Sequence, residues 1–304
     1  MLFRASHIMR IGIDMGGTKI EAIAVDGTNE LLRRRVPAPR GDYAATVTAV
    51  RDLVAAIERE LGATCTVGVG IPGSLSALTG LVKNANSTWL IGQPLDRDLE
   101  RALGRRVRVA NDANCFALSE ATDGAAQGAH TVFGVILGTG TGGGVVVNGR
   151  VLEGRHGIAG EWGHNPLPWP EDSERPGPRC YCGRMGCIET YLSGPGLSKT
   201  YMAIAGRHAA AAEIAELADS GDSGANDALV VYETQLARAL ASIINVLDPD
   251  AIVLGGGVSN ISRLYIRVPP LLKPFVFSDS ADTPVVAARH GDSSGVRGAA
   301  WLWP

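Results

Sequence analysis

Three cysteines crowd into eight residues, in the run Cys180-Tyr181-Cys182-Gly183-Arg184-Met185-Gly186-Cys187, and a histidine precedes them in Gly160-Glu161-Trp162-Gly163-His164. One imidazole nitrogen and three thiolate sulfurs are the donor set of a closed tetrahedral zinc site. Four protein ligands leave no position for an activated water. The metal expected at His164, Cys180, Cys182 and Cys187 is therefore structural Zn²⁺, ordering a long loop over residues 160–190. Glu161 and Glu189 flank these ligands, so the ordered loop would hold two carboxylates in place and assemble a polar pocket. The other two cysteines, Cys65 and Cys115, stand in apolar surroundings and read as small buried side chains.

The elements that must position this loop begin with two similar openings. Arg10 to Asp14 alternates like a strand, breaks at Met15-Gly16-Gly17-Thr18-Lys19, and resumes as Ile20 to Val25 before an Asp26-Gly27 turn. Phe133 to Leu137 does the same, breaking at Gly138-Thr139-Gly140-Thr141-Gly142-Gly143-Gly144 and resuming as Val145 to Val147 before Asn148-Gly149. The second turn satisfies G-x-G-x-x-G, but a strand follows it where a dinucleotide fold needs a helix, and no Walker-type lysine motif is present. What remains is a hairpin whose backbone N–H groups and threonine hydroxyls can surround phosphate oxygens. Glycines that merely permit tight turns are the alternative for either loop alone.

Between the openings, Val47, Val50, Val54, Ile57 and Leu61 recur at helical spacing, followed by strands at 66–71 and 107–110. A later helix carries Leu229, Tyr232, Leu236, Leu240, Ile243 and Leu247 and stops at Asp248-Pro249; the strand 251–254 then runs into Gly255-Gly256-Gly257. Alternating strands and helices in both halves predict an α/β protein. The expected domains are 9–115 with 291–304 returning to it, and 116–290 carrying the zinc loop. Met9 directly precedes the first strand, so residues 1–8 read as an extension from an upstream start or a remnant of expression.

Composition narrows the function classes. A net charge of -3 without a run of lysine and arginine argues against a nucleic-acid partner, and Arg33 to Arg35 reads as a solvated strand edge. No apolar stretch has the length of a transmembrane helix and the first residues lack a signal-peptide core, so the expected location is the cytoplasm, with no membrane partner.

Six segments in order, Ile13-Asp14-Met15-Gly16-Gly17-Thr18-Lys19, Gly70-Ile71-Pro72-Gly73, Asn111-Asp112-Ala113-Asn114, Leu137-Gly138-Thr139-Gly140, Gly160 to His164 and the cysteine run, resemble the repressor, open-reading-frame and kinase (ROK) family of sugar kinases. Within it, Val82 to Leu90 and the ending His290 to Trp303 look most like bacterial fructokinases of the manno(fructo)kinase type. The resemblance implies the actin-like ATPase (ribonuclease H-like) fold, two duplicated α/β domains around a closing cleft, in a homodimer. The winged helix of the family's repressors has no room ahead of Ile11, which favours an enzyme over a sugar-sensing regulator.

The same resemblance implies site roles that phosphoryl transfer makes physically reasonable. Asp14 would hold Mg²⁺ through water. Gly16, Gly17, Thr18, Lys19 and Gly138, Thr139, Gly140, Thr141 would hold the phosphates of ATP, and Gly255, Gly256 and Gly257 the adenosine. Asp112 would accept the proton of the attacking sugar hydroxyl as general base, with helix capping as its plainer role. Ser74, Asn86, Asn111, Asp112, Glu161, His164 and Glu189 would contact the hexose. The implied reaction is phosphorylation at the 6-hydroxyl, with fructose expected first and N-acetylglucosamine, glucose or mannose as alternatives. Trp162 stands where most of the family carries a smaller residue and could reshape the pocket. The proline-rich stretch 166–178 reads as a lid or interface loop.

Overall fold

The computed structural model describes residues 9–304; the upstream extension read at 1–8 lies outside the described residues. Two compact units divide the chain, one of 9–127, 149–159 and 293–304, the other of 128–148 and 160–292.

In the first unit a five-stranded sheet runs in the order β3-β2-β1-β4-β7, from β1 (Arg10–Met15), β2 (Lys19–Asp26), β3 (Asn29–Pro37), β4 (Thr66–Ile71) and β7 (Val107–Asn111). β2 is antiparallel to β1, while β4 and β7 follow parallel to it. Buried on both faces, these central strands read as near-continuous apolar runs, with Ile11, Ile13, Val67 and Val69 fully enclosed. β3 is the edge, and its arginines do more than face solvent. Arg33 and Arg35 both reach Glu21 on β2, a carboxylate only 2% exposed.

Helix α1 (Tyr43–Leu61) starts where the Asp42 side chain accepts from the Ala45 N–H at 2.9 Å and stops at Gly62 in the left-handed region. Its apolar stripe buries Val50, Leu53, Val54 and Ile57. After β4 come the short pair β5 (Ser74–Leu75) and β6 (Val82–Lys83), helix α2 (Leu95–Leu103), and helix α3 (Asp112–Thr122) directly beyond β7. The terminal helix α9 (Ser294–Ala300) lies on the sheet at backbone distance because the sheet offers glycines there. A Cβ at Gly12 would fall 2.0 Å from the Val296 carbonyl oxygen, and one at Gly68 1.9 Å from that of Ala299. Ser294 donates to Glu120 at 2.7 Å and Arg297 pairs with Asp123, which ties α9 to α3. The domain boundary expected at 115 would cut α3. The division falls after Gln127 instead, because α3 packs along α9, and 149–159, with the short strand β10 (Arg150–Val151) against α3, also belongs to this unit.

The second unit repeats the plan. β8 (Thr131–Leu137) and β9 (Thr141–Val147) form the antiparallel hairpin, and β11 (Ala251–Gly255) and β12 (Val285–Ala287) add in parallel, in the order β9-β8-β11-β12. Helices α4 (Glu189–Leu192), α5 (Gly194–Ala205), α6 (Ala211–Asp219), α7 (Ser223–Leu247) and α8 (Leu264–Leu272) complete it. The α7 stripe read from the sequence is its core face: Leu229, Tyr232, Leu236 and Leu240 are buried, and Asp248 ends the helix in the left-handed region just before Pro249. A hairpin followed by parallel strands, made twice, is the duplicated α/β architecture of the actin-like ATPase fold.

Candidate active site and metal centre

The first unit brings its candidate acids to one end of one sheet. Register pairs Asp14 with Gly70 across β1 and β4, and Ile71 with Asn111 across β4 and β7. Asp14 and Asp112 therefore stand at the carboxyl ends of strands two places apart, roughly 10 Å at the usual strand spacing. Gly70 lies between them, and a Cβ there would be 3.2 Å from the buried Cys115 sulfur. Burial pushes the Cys115 thiol well above its ordinary value, and both aspartates push the same way. Cys115 is thus an apolar floor, as expected, and no nucleophile.

Asp14 is half-buried and faces Glu21 across the β1–β2 register. Burial first and then Glu21 raise its carboxyl to about 6, with Lys19 opposing. A carboxylate so placed is what a cation stabilises, so the site fits Mg²⁺. Lys19 leans on Glu21 at 3.5 Å. The Gly16–Lys19 turn has two neighbours that sequence reasoning did not name. Arg40 donates its Nε to the Gly17 carbonyl at 2.7 Å, and the buried Ser87 hydroxyl, without a hydrogen-bond partner, lies 3.7 Å from where a Gly17 Cβ would be.

Asp112 opens α3 but is not its cap. Asn111 takes that place, accepting from the Ala113 N–H at 2.9 Å while its amide donates to the Gly73 carbonyl at 3.0 Å. Asp112 Oδ1 accepts from the same N–H at 2.8 Å. Asn111 thereby fixes the turn that leads into Ser74. Asn86 is exposed, whereas Trp89 beside it is anchored to α1 through Nε1 and Thr46 Oγ1 at 3.2 Å.

In the second unit the Gly138–Thr141 turn and the Gly255–Gly257 turn end adjacent parallel strands, β8 and β11. The backbone is packed tightly at Gly256, where φ is +83° and a Cβ would meet the Leu137 carbonyl oxygen at 2.5 Å; Gly257 faces open space. Gly138 accepts from the Gly194 N–H at 2.8 Å. The Thr141 hydroxyl is buried with no hydrogen-bond partner, a vacant donor in a glycine turn that fits a phosphate oxygen.

The metal residues converge. The ligand atoms of His164, Cys180, Cys182 and Cys187 all lie within 4.8 Å of one another. Cys182 Sγ is 3.7 Å from Cys187 Sγ, and Cys180 Sγ is 3.6 Å from His164 Nδ1. Zinc with bonds of about 2.1–2.3 Å sets tetrahedral ligands roughly 3.5–3.8 Å apart, and these two edges match it. Burial pushes the Cys187 thiol up to about 12, while the Arg184 backbone N–H draws Cys182 down to about 7. Packing three thiols and an imidazole this closely suits a divalent cation in place of their protons.

Glycines seat this loop on β9. Gly160, at φ +94°, leaves no room for a Cβ against the Gly143 carbonyl, and one at Gly163 would lie 2.0 Å from that of Thr141. Between them Trp162 turns inward, donating Nε1 to the Gly142 carbonyl at 3.0 Å and meeting Phe133 edge to face at 5.4 Å. The indole, the bulky ring that could reshape the pocket, thus packs into the core. Glu161 remains exposed. Glu189, at the start of α4, accepts from the Thr141 N–H at 3.0 Å through Oε2, with Oε1 3.9 Å from Cys180 Sγ. The stretch 166–178, read as a lid or interface loop, is fastened to α7 by Glu174, which pairs with Arg238 at 2.6 Å and accepts from Gln235 at 2.9 Å.

The chain is similar to known proteins along nearly its whole length. The ROK family matches residues 10–304. An N-acetyl-D-glucosamine kinase of Haemophilus influenzae is 42% identical over 97% of this chain and 99% of its own, and one of Pectobacterium atrosepticum is 40% identical over 97% and 98%. Among solved structures, a ROK hexokinase from Thermus thermophilus superimposes with a TM-score of 0.86 at 33% identity, covering 97% of each chain. A ROK family glucokinase from Streptomyces griseus, in complex with glucose and AMPPNP, gives 0.75 at 29% over 97% and 98%. With the family's motifs spread over two units of like topology and the match running from residue 10 to residue 304, the chain belongs to the ROK family.

Proposed function

We propose that this chain is an ATP-dependent sugar kinase that transfers the γ-phosphoryl group of ATP to the 6-hydroxyl of N-acetylglucosamine. The observation that carries the kinase reading is the pair of carboxylates at one end of the first sheet, Asp14 at the end of strand β1 before Met15 and Asp112 just after β7. Asp112 serves as general base and Asp14 as the anchor of the nucleotide's Mg²⁺, which when bound neutralises phosphate charge. The Gly16–Lys19 turn and the Gly138–Thr141 turn contact phosphates, and Gly255, Gly256 and Gly257 contact adenosine. Ser74, Asn86, Asn111, Glu161 and Glu189 contact sugar hydroxyls, with His164 beside the last two. A structural Zn²⁺ on His164, Cys180, Cys182 and Cys187 keeps these three in position.

The choice of sugar rests on the relatives. Proteins about 40% identical along nearly the whole chain are N-acetyl-D-glucosamine kinases, which moves that sugar ahead of the fructose suggested by residues 82–90 and 290–303. The test is ADP release with Mg-ATP and N-acetylglucosamine, followed by NMR assignment of the phosphate on the product. Transfer to O6 is expected. ADP release that no hexose stimulates would overturn the kinase reading and favour a sugar-binding regulator.

A further inference from the structure

Tyr181 stands between two zinc-ligand candidates, yet its own side chain is not one of them. It is 83% exposed, far more than a packing role requires. Its position is nevertheless defined. The phenol ring meets the His164 imidazole edge to face, with centroids 5.1 Å apart and planes at 86°, and its hydroxyl is 3.0 Å from His164 Nε2. The carboxylates of Glu189 and Glu161, both assigned to the sugar, are within electrostatic reach of that hydroxyl.

Proton placement follows from the donor set. His164 Nδ1 is the nitrogen turned toward the cysteine sulfurs, 3.6 Å from Cys180, so it is the one that offers a lone pair to a metal. Nε2 then carries the hydrogen. In the contact with Tyr181 the imidazole donates and the phenol oxygen accepts, which leaves the phenol O–H directed elsewhere as a donor. Glu161 and Glu189 are acceptors, so this corner of the site holds acceptors for sugar hydroxyls and one outward donor. Among aldohexoses and their 2-acetamido derivatives, the group that most needs such a donor is the acetamido carbonyl, a stronger acceptor than a hydroxyl oxygen. The exposed ring also offers an apolar edge beside which the acetamido methyl can rest.

We propose that Tyr181 is a specificity-determining residue of the sugar site, its hydroxyl oriented by His164 and donating to the carbonyl oxygen of a 2-acetamido group. The proposal rests on the assignment of N-acetylglucosamine as substrate. Its test compares the wild-type protein with Tyr181→Phe, which keeps the ring and removes the hydroxyl. Calorimetric Kd values for N-acetylglucosamine and glucose without nucleotide are read alongside kcat and KM for both sugars, with zinc content and Tm as controls.

The expected result is a loss of about 10-fold in N-acetylglucosamine affinity and a matching rise in KM, with kcat, zinc content and Tm unchanged and glucose affected less than about 2-fold. Equal losses for both sugars, or an unchanged preference in the variant, would overturn the proposal. Tyr181→Ala extends the test to the ring: a further fall for N-acetylglucosamine alone is expected, and a common fall for both sugars would contradict it. A wild-type protein that does not prefer N-acetylglucosamine to glucose would instead defeat the substrate assignment itself.

Discussion

Thr141 donates its backbone N–H to Glu189 Oε2 at 3.0 Å, so the turn assigned to phosphates and the carboxylate assigned to the sugar are fastened to each other. The join leaves no spare volume: a Cβ at Gly140 would lie 2.5 Å from the same oxygen. Glu189→Ala should therefore disturb both ligands. Sugar KM should rise on the order of 10-fold or more, as expected for a lost charge-assisted hydrogen bond, with a smaller rise for ATP. Steady-state kinetics with each substrate varied would show it, and an ATP KM that stays constant would mean the join carries no load.

The cluster of His164, Cys180, Cys182 and Cys187, read as a zinc site, predicts a composition as well as a phenotype. Purified protein should contain one zinc per chain, and Cys182→Ser should weaken metal retention and sugar affinity together, each by roughly 10-fold or more. Elemental analysis paired with calorimetry checks this. Fully active protein free of zinc would contradict it.

Asp112 and Asn111 should separate chemistry from capping. Asp112→Asn removes the proton acceptor while the Asn111 cap remains, so kcat should fall by roughly 10² to 10⁴ with Tm nearly unchanged. Asn111→Ala removes the cap and the bond to Gly73, and should lower stability by about 1 kcal/mol. Thermal melts and turnover of both variants would reveal whether the two roles divide this way.

Asp14 gives stability a pH dependence. Its carboxyl titrates at about 6 in the folded protein against 3.8 for the ordinary side chain, so folding favours the protonated form. Stability from this residue is full below pH 3.8 and is lost as pH rises through 6. Asp14→Asn should therefore be more stable than wild type at pH 8, by on the order of 1–3 kcal/mol, and equal to it near pH 3.5, while losing activity. Denaturant titrations at the two pH values measure the difference. A variant less stable than wild type at pH 8 would contradict the assignment.

Local signals made much of this legible. The two glycine-and-threonine turns marked both β-hairpins, helical spacing marked α1 and α7, and the tight cysteine spacing with His164 marked the metal cluster. Features that depend on residues far apart in the chain were not legible. Gly12 and Gly68 look like ordinary strand glycines until α9 lies on them. Glu174 and Arg238, 64 residues apart, fasten the loop that reads from sequence as a lid or interface segment. The docking of α3 on α9 moves the unit boundary beyond residue 115. The inward turn of Trp162 was not legible because its spacing gives no direction for its side chain. Arg40 belongs to no motif, and Tyr181 sits inside the cysteine run without being a ligand; only contact with Gly17 and His164 singles them out.

Discrimination among hexoses must come from which sugar groups find partners, since a site built on hydrogen bonds penalises the sugar that leaves one unpaired. The measurement that bears most directly on the account is kcat/KM with Mg-ATP for N-acetylglucosamine and fructose, taken side by side on the same preparation. The expected value for N-acetylglucosamine is at least about 10-fold the higher, as one well-placed hydrogen bond would give. A higher value for fructose would contradict it.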